Sequence, residues 1–119
     1  HLLNAEAFAK MRPGVTIVNT ARGKLIDSDA LLAALESGQV GAASLDVLEN
    51  ENGLYYYDRM GDVIPNPELA ALRAMPNVIL TDHTAFYTHE DVKSMVRGVM
   101  ESAAAFAEGS PTRHDVTNR

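Results

Sequence analysis

The 119 residues contain no cysteine. Disulfides, thiolate metal sites and cysteine nucleophiles are therefore excluded, and a reducing, cytoplasmic setting is expected. Basic charge is scarce: ten Lys and Arg stand against 16 Asp and Glu, for a net charge of -6. Nucleic acid is held by clustered cations, and the cations here are scattered, so nucleic-acid binding is not expected. No apolar run approaches the roughly 20 residues that span a bilayer, so no membrane association is expected. What remains is ordinary for a soluble globular protein, with 46% hydrophobic and 22% charged residues. The length suffices for one domain with a real core but not for two large ones. The chain opens on His1-Leu2-Leu3 rather than Met, in what reads as mid-domain sequence, and is expected to be a piece of a longer protein.

The pattern along the chain is α-β-α-β-α-β-α. Asn4 caps a helix over Ala5 to Met11, which Pro13-Gly14 stops. Val15 to Asn19, short and β-branched, reads as a buried strand, followed by the polar turn Thr20-Ala21-Arg22-Gly23. Asp27 caps a helix from Ser28 to Ser37, with Leu31, Leu32 and Leu35 on one face and Gly38 at its end. Ala42 to Val47 reads as a second strand. Residues 48 to 65 form a connection long enough to be functional; its Tyr55-Tyr56-Tyr57 run reads as loop packing. Asn66-Pro67 opens a third helix running to about Met75. Val78 to Thr81 is a third strand. Thr88 and Asp91 start a last helix, roughly Glu90 to Glu108, whose Ala103-Ala104-Ala105 reads as a close-packing stretch.

Such alternation implies an α/β fold with parallel strands joined by helical crossovers. Ligands in these sheets bind beyond the carboxyl ends of the strands. Three polar clusters lie there: Thr20-Ala21-Arg22, the segment from Asp46 to Glu51, and His83. Arg offers a planar fork for a carboxylate. His titrates near neutrality and can give or take a proton. A nearby Glu favours the imidazolium and orients the ring. The set suits a small anionic substrate whose carbonyl is protonated or whose alcohol is deprotonated. No serine elbow supplies a nucleophile. His83 and His89 are six apart, which does not place them on one helical face, so no metal site is expected. His1, His89 and His114 read as surface residues.

Three segments carry a resemblance: Val18-Asn19-Thr20-Ala21-Arg22-Gly23-Lys24-Leu25-Ile26-Asp27, Ser44-Leu45-Asp46-Val47-Leu48-Glu49-Asn50-Glu51, and Pro76-Asn77-Val78-Ile79-Leu80-Thr81-Asp82-His83-Thr84-Ala85. In order and interval they resemble the D-isomer-specific 2-hydroxyacid dehydrogenases. Phe86-Tyr87-Thr88 and the Tyr55-Tyr56-Tyr57-Asp58 loop resemble that family's D-lactate dehydrogenase branch. The resemblance implies the C-terminal half of a Rossmann-type doubly wound parallel sheet over residues 1–86. Residues 87–119 would form a helix and tail returning to the substrate domain. It implies NAD as cofactor and pyruvate, reduced to D-lactate, as favoured substrate. Arg22 would bind the substrate carboxylate and polarise the keto oxygen, and His83 would be the acid. Glu51, rather than Glu49, would pair with His83. Asp46 would hold the nicotinamide carboxamide, Thr20 and Ala21 would meet the cofactor through backbone, and Phe86 and Tyr87 would shape the substrate pocket. A homodimer is implied for the full-length enzyme.

Two departures accompany the resemblance. Asp82 stands where the family usually has Pro before the His. No G-x-G-x-x-G occurs, since glycines 14, 23, 38, 41, 53, 61, 98 and 109 never take that spacing. The pyrophosphate loop and most of the substrate domain are thus expected upstream, in an enzyme about three times longer. The isolated chain is expected to be inactive, with an exposed strand edge and apolar sheet face. The alternatives are a relative acting on a bulkier 2-oxo acid and a non-catalytic, corepressor-like module on the same fold.

Overall fold

The computed structural model describes residues 1–112; His114 lies outside them. Local chemistry accounts for each element's start. Helix α1 (Ala5–Ala9) begins where the Asn4 side chain accepts from the Ala7 N–H at 3.0 Å. Strand β1 (Val15–Asn19) leads into a 3₁₀ turn over Gly23–Leu25. Helix α2 (Ser28–Glu36) is capped by Asp27, which accepts from Ala30 N–H at 3.0 Å. Strand β2 spans Val40–Leu45. Helix α3 (Pro67–Ala74) has Pro at its first position and Asn66 as cap, accepting from Leu69 N–H at 2.8 Å. Strand β3 is Val78–Leu80 and helix α4 is His89–Ala107. Thr88 caps α4 and also donates to the Asp91 carboxylate at 2.9 Å.

The second strand starts two residues before the expected Ala42 and ends at Leu45 rather than Val47. Val40 pairs with Val15 and is completely buried, which draws it into the ladder. The turn after β1 also tightens into 3₁₀ geometry, which the polar composition of residues 20–23 did not reveal.

The three strands are parallel in the order β1-β2-β3. Side chains alternate across a strand, and register brings Ile17, Ala43 and Val78 into one row and Asn19, Leu45 and Leu80 into another. This face meets Phe8, Leu31, Leu35, Leu69 and Leu72 in the core. The other face carries the row Val18, Ser44 and Ile79. There Val18 is 68% and Ile79 65% exposed, so the expected uncovered apolar face is present.

The chain divides into two compact units, His1–Ala85 and Phe86–Arg119. In the second, α4 buries none of its residues. Ala103 and Ala104 are solvent-exposed along α4.

Candidate active site

The turn after β1 is built by Asn19, a polar residue only 7% exposed. Its Oδ1 accepts from Ala21 N–H at 3.1 Å, its Nδ2 donates to Arg22 O at 3.0 Å, and its own carbonyl accepts from Asp46 N–H at 2.9 Å. Buried polar groups are kept only when bonded in this way. The turn then presses against the chain after β2. A Cβ added at Gly23 would lie 2.0 Å from the Leu48 carbonyl oxygen, so only glycine fits. Thr20, Ala21 and Arg22 are exposed at the carboxyl end of β1. The Arg22 guanidinium donates to Ala21 O at 2.6 Å, and among the described residues no carboxylate forms an ion pair with it.

Past β2 the chain folds Glu51 back on itself. Glu51 Oε2 accepts from Leu48 N–H at 2.9 Å, and Oε1 lies 3.0 Å from His83 Nδ1. Glu49 turns elsewhere, to His1 at 2.6 Å and to the Ser28 hydroxyl at 3.1 Å. Glu51 is therefore the glutamate beside the imidazole. Both side chains are largely shielded, at 25% exposure for His83 and 18% for Glu51.

Asp46, 4% exposed, organises the loop that presents His83. Oδ1 accepts from the Thr81 hydroxyl and from Thr84 N–H at 2.9 Å, and Oδ2 accepts from Ala85 N–H at 2.9 Å. Burial, the largest single influence, pushes its carboxyl pKa up. The Thr81, Ala85 and Thr84 hydrogen bonds and the His83 charge together outweigh it and hold the group below its usual value. Tyr55 shifts the other way. Burial, then the charges of Asp82 and Glu51, raise its phenol, with Arg73 opposing and Asp46 adding a little. Asp82 itself faces Arg73 at 3.7 Å on the surface, a pair worth little in water.

Of the residues singled out from sequence, Glu51 and His83 pair directly, and Asp46 is bonded to Thr81, Thr84 and Ala85 on either side of His83. Arg22, Thr20 and Ala21 stand at the end of the neighbouring strand. Phe86 and Tyr87 open the second unit, their rings edge to face at 6.0 Å. Sequence reasoning missed Asn19, Gly23 and Thr81 as builders of the site. The one available signal was a polar Asn ending a short, β-branched strand. It also passed over Tyr56, whose hydroxyl donates to the His83 carbonyl at 2.5 Å. Among the described residues no group of three His, Cys, Asp or Glu side chains is arranged to hold a metal ion.

A shielded imidazole oriented by a carboxylate can hold and deliver one proton, and an exposed guanidinium can grip an anion. The model of the D-isomer specific 2-hydroxyacid dehydrogenase NAD-binding domain matches residues 1–85. The chain belongs to this family. Among 2-hydroxyacid dehydrogenase relatives, a 2-hydroxyacid dehydrogenase homolog of Schizosaccharomyces pombe is 41% identical over 119 residues, covering 100% of this chain and 36% of the relative. An aromatic 2-oxoacid reductase of Clostridium sporogenes is 45% identical over 96 residues, 81% of this chain and 29% of the reductase. The crystal structure of a D-lactate dehydrogenase from Treponema pallidum superposes with a TM-score of 0.84 at 37% identity, over 98% of this chain and 35% of that one. The chain spans about a third of the length of these dehydrogenases, and its sheet corresponds to the C-terminal half of their doubly wound NAD-binding fold.

Proposed function

We propose that the full-length protein is an NAD-dependent D-2-hydroxyacid dehydrogenase reducing a 2-oxo acid, with pyruvate to D-lactate favoured. The observation that carries this reading is the 3.0 Å contact of His83 Nδ1 with Glu51 at the carboxyl end of a parallel sheet. Glu51 holds Nδ1, so Nε2 is the nitrogen that delivers the proton to the keto oxygen. The Arg22 fork, free of any carboxylate ion pair among the described residues, binds the substrate carboxylate and polarises that oxygen. Phe86 and Tyr87 limit the side chain accepted.

The residues present fit the cofactor. Among the described residues Asp46 Oδ2 accepts one hydrogen bond and retains a lone pair for a carboxamide N–H. Thr20 and Ala21 are exposed at the carboxyl end of the neighbouring strand β1. When bound, the nicotinamide supplies the hydride. Residues 1–86 form half of the NAD-binding domain, and 87–119 belong with the substrate domain. The protein works in the cytoplasm as a homodimer, and the isolated chain is inactive because the pyrophosphate loop lies elsewhere.

A bulkier 2-oxo acid is the second reading, favoured by the 45% identity to the aromatic 2-oxoacid reductase. NADH oxidation by the full-length protein, compared across pyruvate, branched and aromatic 2-oxo acids, separates the two. His83→Gln should lower turnover by roughly 10²–10⁴-fold while NADH still binds. Wild-type turnover in that variant overturns the mechanism. Absence of turnover with every 2-oxo acid points instead to a corepressor-like module.

A further inference from the structure

We infer that Tyr56 is a positioning residue for His83, its hydroxyl fixing the peptide from which the acid projects; this rests on the reading of His83 as proton donor. Among the described residues only two non-glycine positions have positive φ, Tyr56 at 67° and His83 at 54°. The left-handed region is costly for a side-chain-bearing residue and persists when the surroundings over-determine it. For a bulky residue such as Tyr it is a genuine outlier. The two strained residues are bonded to each other: Tyr56 Oη donates to His83 O at 2.5 Å, and the rings lie 6.1 Å apart at 52°.

Burial does not explain the placement, since Tyr56 is 68% exposed. Asp46 grips Thr81 on one side of His83 and the N–H groups of Thr84 and Ala85 on the other. Neither grip reaches the His83 carbonyl, and Tyr56 does. The segment carrying Tyr56 is itself braced. Arg59 donates through Nε and Nη2 to Gly53 O and through Nη1 to Asp62 at 3.3 Å. The Tyr55 ring meets Tyr56 edge-on at 6.5 Å. Glu51 thus holds Nδ1 of His83 and Tyr56 holds its backbone carbonyl, both from the connection between β2 and α3. Misplacement of a catalytic group by about 1 Å is enough to lower a rate by up to about 10²-fold.

Tyr56→Phe keeps the ring and removes the donor. In the full-length protein, with the 2-oxo acid it reduces fastest, single-turnover NADH oxidation should slow by about 3- to 10-fold. KM and NADH affinity should stay within about twofold. The solvent deuterium isotope effect should rise as proton delivery becomes more limiting. Tyr56→Ala should change both further in the same direction. An unchanged rate in Tyr56→Phe overturns the inference. So does a slower rate with an unchanged isotope effect, which is the mark of a merely structural loss of active enzyme. Wild-type turnover in His83→Gln defeats the underlying reading separately, whatever Tyr56→Phe does.

Discussion

Past β2 and β3, the polar side chains of the site are tied down within this chain. Asp46 accepts from three donors, Glu51 is held by a backbone N–H and His83 rests against Glu51. Past β1, the turn is equally well built at its base by Asn19 and Gly23, but the side chain it displays, Arg22, is exposed and, among the described residues, bonded only to its neighbour's carbonyl. The difference follows the two jobs proposed. A proton donor needs a fixed ring and a preset partner before substrate arrives. An anion anchor must leave its fork uncommitted, because a guanidinium already neutralised by a protein carboxylate offers little to a second one.

That contrast can be broken most severely at Gly23, where the two regions touch. Gly23→Ala places a methyl 2.0 Å from Leu48 O and 2.5 Å from Glu49 N. Backbone on one side must move, and the Leu48 N–H that holds Glu51 moves with it. A loss of about 3 kcal/mol or more is expected in denaturant unfolding of the full-length protein. A variant as stable as wild type would show that the regions do not depend on this contact.

Asp46→Asn tests the pre-bonded side alone. Its Oδ1 can still accept from Thr81 and Thr84, but an amide nitrogen then faces the Ala85 N–H. A cost of about 1–3 kcal/mol is expected at neutral pH. The sign of its pH dependence follows from the lowered carboxyl of Asp46. A group whose folded pKa is depressed lends its full stability above the ordinary carboxyl value of about 4 and loses it as pH falls through the lower folded value. The gap between wild type and Asp46→Asn should therefore narrow below about pH 4. A gap that stays constant into acid would deny Asp46 this role.

Arg22→Lys sharpens the comparison from the other side. It keeps the charge and removes the fork, at an exposed site. Stability should change by less than about 0.5 kcal/mol, while KM for the 2-oxo acid rises about tenfold, the loss of one of two hydrogen bonds to a carboxylate. Steady-state kinetics beside an unfolding curve measure both. A large stability loss with unchanged KM would move Arg22 from substrate anchor to structural residue.

Much of this architecture was legible in residue order because its causes are local. Caps at Asn4, Asp27, Asn66 and Thr88 act within three residues of themselves. The short, β-branched run that makes β1 is a property of five consecutive side chains. The start of β2 at Val40 was not legible, since it depends on pairing with Val15. Nor was the choice of Glu51 over Glu49 as the imidazole's neighbour open to composition or spacing alone; it came from resemblance.

By itself the sequence determined an α/β chain with chemistry-bearing residues at the carboxyl ends of its strands, because periodicity and capping are short-range. Only the tertiary structure decided that Asp46 spends its carboxylate on the 81–85 loop, that Gly23 must lack a side chain, and that Tyr56 reaches the His83 carbonyl. Those contacts join residues 25 to 39 positions apart, and such partners are set by how parallel strands stack rather than by any pattern along one of them.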